Sequence, residues 1–159
     1  QVFMRSVSTA AFGGARAAIS AAREIAETRV STNTGKASKN DPFLLAAIAR
    51  AHAEVTEMEM TLRMTFEDLM GYADRGEAIP MEKRTLYAYN SASVVRRMAD
   101  LVDDMFKLRG GRAIYTDSPI IQPWLDLHAG RAHVANDPAN RTIDVVGAMS
   151  GQAPTFNFL

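Results

Sequence analysis

Two groups of residues late in the chain could bind a ligand or act on one. Gly110 and Gly111 form a pair whose backbone N–H groups an anion can approach closely, and Arg112 adds a positive charge beside them. Asp126 and His133 have a spacing that would put both on one face of a helix. A histidine near a phosphate-accepting loop is typical of a flavin or nucleotide site. The alternative is structural, because a helix C-cap followed by a core histidine gives the same pattern.

Metal chemistry is not predicted, because the ligand spacing it needs is missing. Metal centres in four-helix bundles use Glu-x-x-His pairs, and none of His52, His128 and His133 has a glutamate three residues before it. On one helix, His128 and His133 would stand about 140° apart, too far to share a metal. The chain has no cysteine, which excludes disulfides, thiolate catalysis and cysteine-bound metals.

Charge and composition narrow the range of partners. The chain has 159 residues with 18 basic and 18 acidic side chains, so its formal net charge is zero. This balance argues against nucleic acid or anionic lipid, since both select a basic surface. No apolar run approaches the roughly 20 residues that cross a membrane, and no signal segment is evident, so we expect a cytoplasmic protein. Because translation does not start at glutamine, we also expect Gln1 to open a piece of a longer protein.

Helices are predicted to position these residues. Apolar residues recur at steps of three and four along most of the chain, which is the periodicity of an amphipathic helix. We predict helices over residues 2–30, 42–75, 80–109 and 118–135, with a loop over 31–40. In the third helix, the residues expected to face inward are Leu86, Tyr89, Ala92, Val95, Met98, Val102 and Met105.

Capping residues support these boundaries. Asp41 is a suitable N-cap before a proline, and Gly76 can end the second helix in a left-handed conformation. Lys107 and Arg109 suit the negative C-terminal end of the third helix, and Gly110 stops it.

The predicted fold is all-α. Three long helices and a shorter one with short connections predict an antiparallel four-helix bundle over residues 1–136, followed by an extended tail over 137–159. The alanine-rich first helix and methionine-rich second helix carry more apolar surface than one such core needs. We therefore expect a homo-oligomer.

Three stretches, 22–30, 110–119 and 124–138, resemble a known family. The first is similar to the first C-terminal helix of the acyl-CoA dehydrogenase fold. The other two are similar to the C-terminal domain of two-component flavin-dependent monooxygenases built on that fold, which hydroxylate 4-hydroxyphenylacetate or steroid phenols. The resemblance covers essentially the whole chain and implies that an N-terminal helical domain and a middle β-domain precede it.

The resemblance implies a set of site residues: the catalytic His133 and, for flavin, Arg29, Gly111, Arg112, Tyr115, Ser118 and Val134. Arg29 matches an arginine that reaches the flavin phosphate, often across a subunit interface. Gly111 and Arg112 match loop positions beside the polar tail of the flavin. His133 matches the histidine that approaches the phenolic hydroxyl, so His128 is not expected to be the key base.

The implied reaction is hydroxylation of a small phenol by O2 through a flavin C4a-hydroperoxide. Reduced FMN or FAD would diffuse from a separate flavin reductase, no metal would take part, and the oligomer would be a tetramer. An acyl-CoA dehydrogenase or a related flavin oxidase is the alternative, disfavoured because the Tyr-Glu-Gly-Thr stretch with the catalytic glutamate of many such enzymes is missing. By itself, the chain could also be a helical oligomerisation module.

Overall fold

The computed structural model describes residues 2–30, 35 and 37–155, and these are predominantly helical. They form the helices α1 (Val2–Thr28), α2 (Pro42–Asp74), α3 (Met81–Arg109), α4 (Ile121–Arg131) and α5 (Ala139–Met149). Short 3₁₀ turns cover Ser38–Asn40, Gly110–Ile114 and Val134–Asn136. The predicted all-α fold is confirmed, whereas residues 31–34 and 36 of the predicted loop lie outside the described residues. Within the described ranges, no helix is long and apolar enough to cross a membrane.

Consecutive helices of the bundle run antiparallel. Lys83, near the start of α3, lies 3.0 Å from Asp68, near the end of α2. Trp124, near the start of α4, donates to Asp103, near the end of α3, over 2.6 Å. Helix α4 therefore runs back along α3, as predicted for a four-helix bundle.

Helices α1 and α3 form the centre of the bundle, since they contact each other and each contacts α2 and α4. On α1, Ala15 and Ala18 are buried, and small side chains allow neighbouring helices to approach closely. On α3, Val95, Met98 and Ala99 are fully buried and fill the space between the helices. Shortening Met98 to alanine would cost roughly 2–5 kcal/mol, because the cavity left behind adds to the lost burial.

The predicted caps are confirmed. The Asp41 carboxylate accepts from the backbone N–H of Phe43 over 3.0 Å and of Leu44 over 3.4 Å at the start of α2. Gly76 and Gly110 follow α2 and α3 with φ of +64° and +73°, a left-handed conformation that glycine adopts without strain.

The fourth helix is shorter than predicted, which separates Asp126 from His133. Helix α4 ends at Arg131, where the buried Asn136 side chain donates to the carbonyl of Gly130 over 2.8 Å. This bond replaces the continuing helical ladder, and His133 lies outside the helix. The prediction that Asp126 and His133 share a helix face is therefore wrong.

Two further predictions are wrong. Residues 139–149 form α5 and not an extended segment, and this helix packs against α3 with Arg141 and Asp144 buried. Leu86 is exposed, and Thr85 beside it takes the buried position. The tail prediction is wrong because residues 139–149 are helical, and the Leu86 prediction is wrong because the polar Thr85 takes the inward position.

Candidate functional site

A cavity of ≈ 660 Å³ opens where the ends of α1 and α3 meet the turn after α3. Four of the predicted site residues line it: Arg29, Gly111, Arg112 and Tyr115. Arg109 lines it as well, although the sequence interpretation gave it only a helix-end charge. Three guanidinium groups around one space supply the charge and donors that bind a phosphate, so we call this space the arginine cavity.

Arg29 connects the two central helices. Its Nη1 donates to the backbone carbonyl of Arg109 over 2.9 Å and to that of Leu108 over 3.4 Å. These carbonyls belong to the last turn of α3, where a helix carries partial negative charge and lacks intrahelical partners. Arg29 thus caps α3 and holds in place the backbone from which the cavity-lining turn begins.

Arg109 lines the cavity and also carries a buried, unpaired donor. Its Nε is buried and has no hydrogen-bond partner among the residues described. Burial, followed by the positive charges of Arg29 and Arg112, lowers the pKa of Arg109 from its ordinary value, and Asp117 opposes this shift. A buried donor without a partner costs free energy.

The turn after α3 exposes its backbone to the cavity. Ala113 is fully buried and anchors the turn, whereas Gly111 and Arg112 on its outer side are exposed. A Cβ at Gly111 would meet no described atom within 4 Å, so the space beside this backbone is open. A ligand can therefore approach the main chain here.

Ser118 does not line the arginine cavity, unlike the other predicted residues of this loop. It is buried, and its backbone N–H donates to the Tyr115 carbonyl over 2.9 Å. Its Oγ is buried without a hydrogen-bond partner among the described residues. Ser118 closes the turn that presents Tyr115.

His133 and Val134 lie away from the arginine cavity, exposed in the segment after α4. Arg131, just before them, lies 3.5 Å from Asp100. Asp100 is about 14 Å along α3 from the residues of the cavity, at 1.5 Å per residue. The Nδ1 atom of His133 accepts from the Ala135 backbone N–H over 3.1 Å. The structure thus divides the predicted site into two places along the bundle.

His128 belongs to a polar and aromatic cluster between α3 and α4 that the sequence interpretation missed. Its Nε2 lies 3.0 Å from an Asp103 oxygen that also accepts from Trp124 Nε1 over 2.6 Å. The Trp124 ring contacts the His128 ring and stacks on Phe106. Burial acts to raise the pKa of Asp103, but the hydrogen bonds from Trp124 and His128 outweigh it and the pKa is lowered. This cluster fastens α4 to α3.

A second cavity, of ≈ 480 Å³, lies between α1 and α2. Here Arg5 donates to the Leu62 carbonyl over 3.1 Å and to the Thr65 hydroxyl over 3.0 Å, and Arg16 pairs with Glu59. These arginines already have partners within the chain. The arginine cavity, with three arginines and the exposed turn at Gly111, is the better candidate for a bound anion.

The sequence is similar to a defined family and to longer proteins. The family model of the acyl-CoA dehydrogenase C-terminal domain matches residues 6–138. The flavin-dependent monooxygenase oxygenase subunit HsaA of Mycobacterium tuberculosis (strain ATCC 25618 / H37Rv) is 32% identical over 104 residues, 65% of this chain and 26% of that protein. HsaA of Rhodococcus jostii (strain RHA1) is 31% identical over 104 residues, 65% of this chain and 27% of that protein. The aligned part is thus about a quarter of each relative.

Solved structures share the fold. The 3-HSA hydroxylase from Rhodococcus sp. RHA1 has a TM-score of 0.88 and 26% identity, covering 99% of this chain and 41% of that one. The HsaA monooxygenase from M. tuberculosis has a TM-score of 0.82 and 28% identity, covering 96% and 40%. XiaF from Streptomyces sp., solved with FADH2 and glycerol, has a TM-score of 0.87 at 16% identity, a likeness of fold alone.

Proposed function

Because the chain belongs to the acyl-CoA dehydrogenase C-terminal domain family, we propose that it is the C-terminal domain of a reduced-flavin-dependent monooxygenase that hydroxylates a phenolic substrate. Relatives named as oxygenase subunits of flavin-dependent monooxygenases support this proposal. The activity is assigned to a longer protein, since the chain covers about 40% of the solved relatives.

The observation that carries the proposal is the arginine cavity. A flavin nucleotide has a phosphate at one end, and this cavity offers three arginine side chains and an exposed backbone. The donor set therefore fits the phosphate end of FMN or the diphosphate of FAD. In this assignment, Arg29, Arg112 and the backbone at Gly111 bind the phosphate, Tyr115 lies beside it, and Ser118 supports the loop.

His133 and Val134 are assigned to the other end of the flavin, where the ring and the substrate meet. The ribityl chain separates the flavin ring from its phosphate, so the two ends need separate places on the bundle. The bond from the Ala135 N–H to Nδ1 leaves the proton of the neutral His133 ring on Nε2. From Nε2, the ring can donate to the phenolic oxygen and stabilise negative charge there, which makes the aromatic ring a better nucleophile.

When bound, reduced flavin supplies the activation of O2, and the protein orients the substrate and excludes water. His133 and Val134 are exposed in this chain. The remaining domains of the longer protein must therefore cover the ring end of the flavin. Residues of several domains therefore form the complete site.

The same proposal includes the assembly. A separate reductase supplies the reduced flavin, which accords with the oxygenase-subunit names of the relatives. The protein forms a homotetramer, and two exposed apolar surfaces support this: Met60, Met64 and Met70 on α2, and Ile143, Val146 and Met149 on α5.

The test uses the longer protein that carries this chain, with reduced FMN or FAD, isotopically labelled O2 and a panel of phenols. We expect a hydroxylated product that contains labelled oxygen, detected by mass spectrometry. Flavin oxidation that yields only hydrogen peroxide with every phenol would contradict the proposal. Formation of an α,β-unsaturated thioester from an acyl-CoA would favour the acyl-CoA dehydrogenase alternative.

A further inference from the structure

We infer that Asn136 is a positioning residue for His133, a role that rests on the proposed function and explains how the histidine of that site is oriented. His133 is exposed, so packing against the bundle does not fix its side chain. Asn136, three residues later, is only 1% exposed. The buried residue can therefore anchor the exposed one.

The 3₁₀ turn Val134–Asn136 connects the two residues by hydrogen bonds at both of its ends. The Nδ1 atom of His133 accepts from the Ala135 backbone N–H over 3.1 Å. The His133 carbonyl accepts from the Asn136 backbone N–H over 2.8 Å. The bond to the ring depends on a closed turn, because Ala135 lies inside that turn. The direction in which Nε2 points therefore depends on what keeps the turn closed.

The Asn136 side chain fastens this turn to the end of α4. Its Nδ2 donates to the Gly130 carbonyl over 2.8 Å, and the same carbonyl accepts from the His133 backbone N–H over 3.2 Å. One carbonyl thus receives a bond from the residue before the turn and another from the last residue of the turn. Without the Asn136 amide, only the longer of these two bonds remains, and the turn is free to open.

The anchor itself is well supported by the bundle. The turn contacts α1 and α3, and Ala135 is buried. Helix α4, which carries Gly130, is fastened to α3 through Asp103. A reacting group displaced by about 1 Å can slow a reaction roughly 100-fold. A small movement of the turn is therefore enough to slow the reaction, although Asn136 itself touches no substrate.

Asn140 provides a matched control. It is a second asparagine, four residues further along the chain, and its Nδ2 donates to the Asp137 carboxylate over 3.0 Å. The same carboxylate accepts from the Ala139 backbone N–H over 3.0 Å, so these bonds hold the start of α5. Asn140 is exposed. Loss of an asparagine amide in this part of the chain is common to both residues, and a hold on the turn belongs to Asn136.

The first test is amide hydrogen exchange in the 159-residue chain, observed by NMR, which needs no enzymatic activity. Exchange of the Ala135 amide should be about fivefold faster or more in Asn136→Ala, the factor that one hydrogen bond is worth. In Asn140→Ala it should change less than twofold. Asn136→Leu fills the space that alanine empties, so faster exchange in both variants results from the lost amide and not from a cavity. Unchanged Ala135 exchange in either variant, once circular dichroism shows that it is folded, would overturn the inference.

The second test asks whether Asn136 acts through His133. In the longer protein, with saturating phenol and reduced flavin, Asn136→Ala should lower kcat about tenfold or more. In a His133→Ala background the same substitution should lower kcat less than twofold, because the group that it positions is gone. Losses that multiply in the double variant would show a general structural effect and refute the positioning role. If the wild-type longer protein hydroxylates no phenol, the proposed function fails, and Ala135 exchange alone then decides whether Asn136 holds His133.

Discussion

Arg29 and Arg109 are joined by a hydrogen bond of 2.9 Å from the guanidinium of one to the backbone carbonyl of the other. The bond links the residue after α1 to the last residue of α3, so the ends of the two central helices hold each other in place. Both side chains also line the arginine cavity. The stability of the bundle and the shape of the candidate site therefore depend on the same contact.

Arg29→Ala should lower the free energy of unfolding by roughly 1.5–3 kcal/mol, the range for hydrogen bonds to a charged group. The carbonyls at the end of α3 would lose their cap, and the turn that carries Gly111 and Arg112 would loosen. Thermal unfolding by circular dichroism measures the loss. Arg23→Ala, an exposed arginine on the same helix, is the control, and equal Tm values for the two variants would contradict the capping role.

His133→Ala should slow hydroxylation by the longer protein roughly 100-fold, the order that loss of a positioned hydrogen-bond donor to developing negative charge costs. His128→Ala should have a much smaller effect on turnover, because His128 is engaged by Asp103 and Trp124. Its main effect should be a lower Tm. Rates of product formation with saturating reduced flavin compare the two variants, and equal mild losses would refute the assignment of His133.

Asp103 should make the free energy of unfolding fall as the pH is lowered into the acid range. Hydrogen bonds hold its pKa in the folded protein below the ordinary value of about 3.9. As pH falls, the unfolded chain binds the proton first, so the stabilisation present above about pH 4 is lost as pH passes down through the folded pKa. Asp103→Asn should be less stable than wild type near neutral pH, and this difference should shrink in acid.

Urea unfolding at neutral pH and at about pH 3 measures that difference. Trp124, the single tryptophan, reports it by fluorescence because its indole donates to Asp103. Asp104→Asn is the control, since Asp104 lies on the same helix but forms its ion pairs at the exposed surface. An Asp103→Asn deficit that stays constant with pH would exclude the proposed linkage.

The 159-residue chain should bind reduced FMN much more weakly than the longer protein and should not hydroxylate phenols. A flavin site encloses most of the ring system, whereas His133 and Val134 are exposed here. Water would reach the ring and divert turnover to hydrogen peroxide. Anaerobic flavin titration and peroxide assays test this expectation. Tight binding with coupled hydroxylation by this chain would contradict the division of the site between domains.

Features that depend on neighbouring residues were predictable from the sequence. Asp41 and Gly76 act as the predicted caps because capping uses backbone groups a few positions away. Arg29 and Arg112 line the same cavity because of how α1 packs on α3. Of the sequence arguments, only the family resemblance predicts that they lie together. The unpaired Nε of Arg109 depends on the final side-chain packing, which no local pattern encodes.

The unpredicted features depend on polar contacts that the apolar pattern does not encode. Asn136 ended the fourth helix early through a side-chain bond to Gly130 that periodicity does not detect. The sequence does not distinguish Asp103 from the other carboxylates on its helix. Its role becomes visible only where Trp124 and His128 pack against it. Tertiary contacts decided these positions.

Helix α5 has a consequence for the order in which the protein folds. It buries Arg141 and Asp144 and leaves Ile143, Val146 and Met149 exposed, so its polarity is reversed relative to an ordinary surface helix. Hydrophobic collapse is non-directional and draws apolar surface inward, which would dock α5 on the wrong face. For α5 to dock correctly, the α3 surface must already be assembled so that it can accommodate the side chains of Arg141 and Asp144. We therefore expect α5 to join a preformed bundle late in folding and to detach from it first on heating.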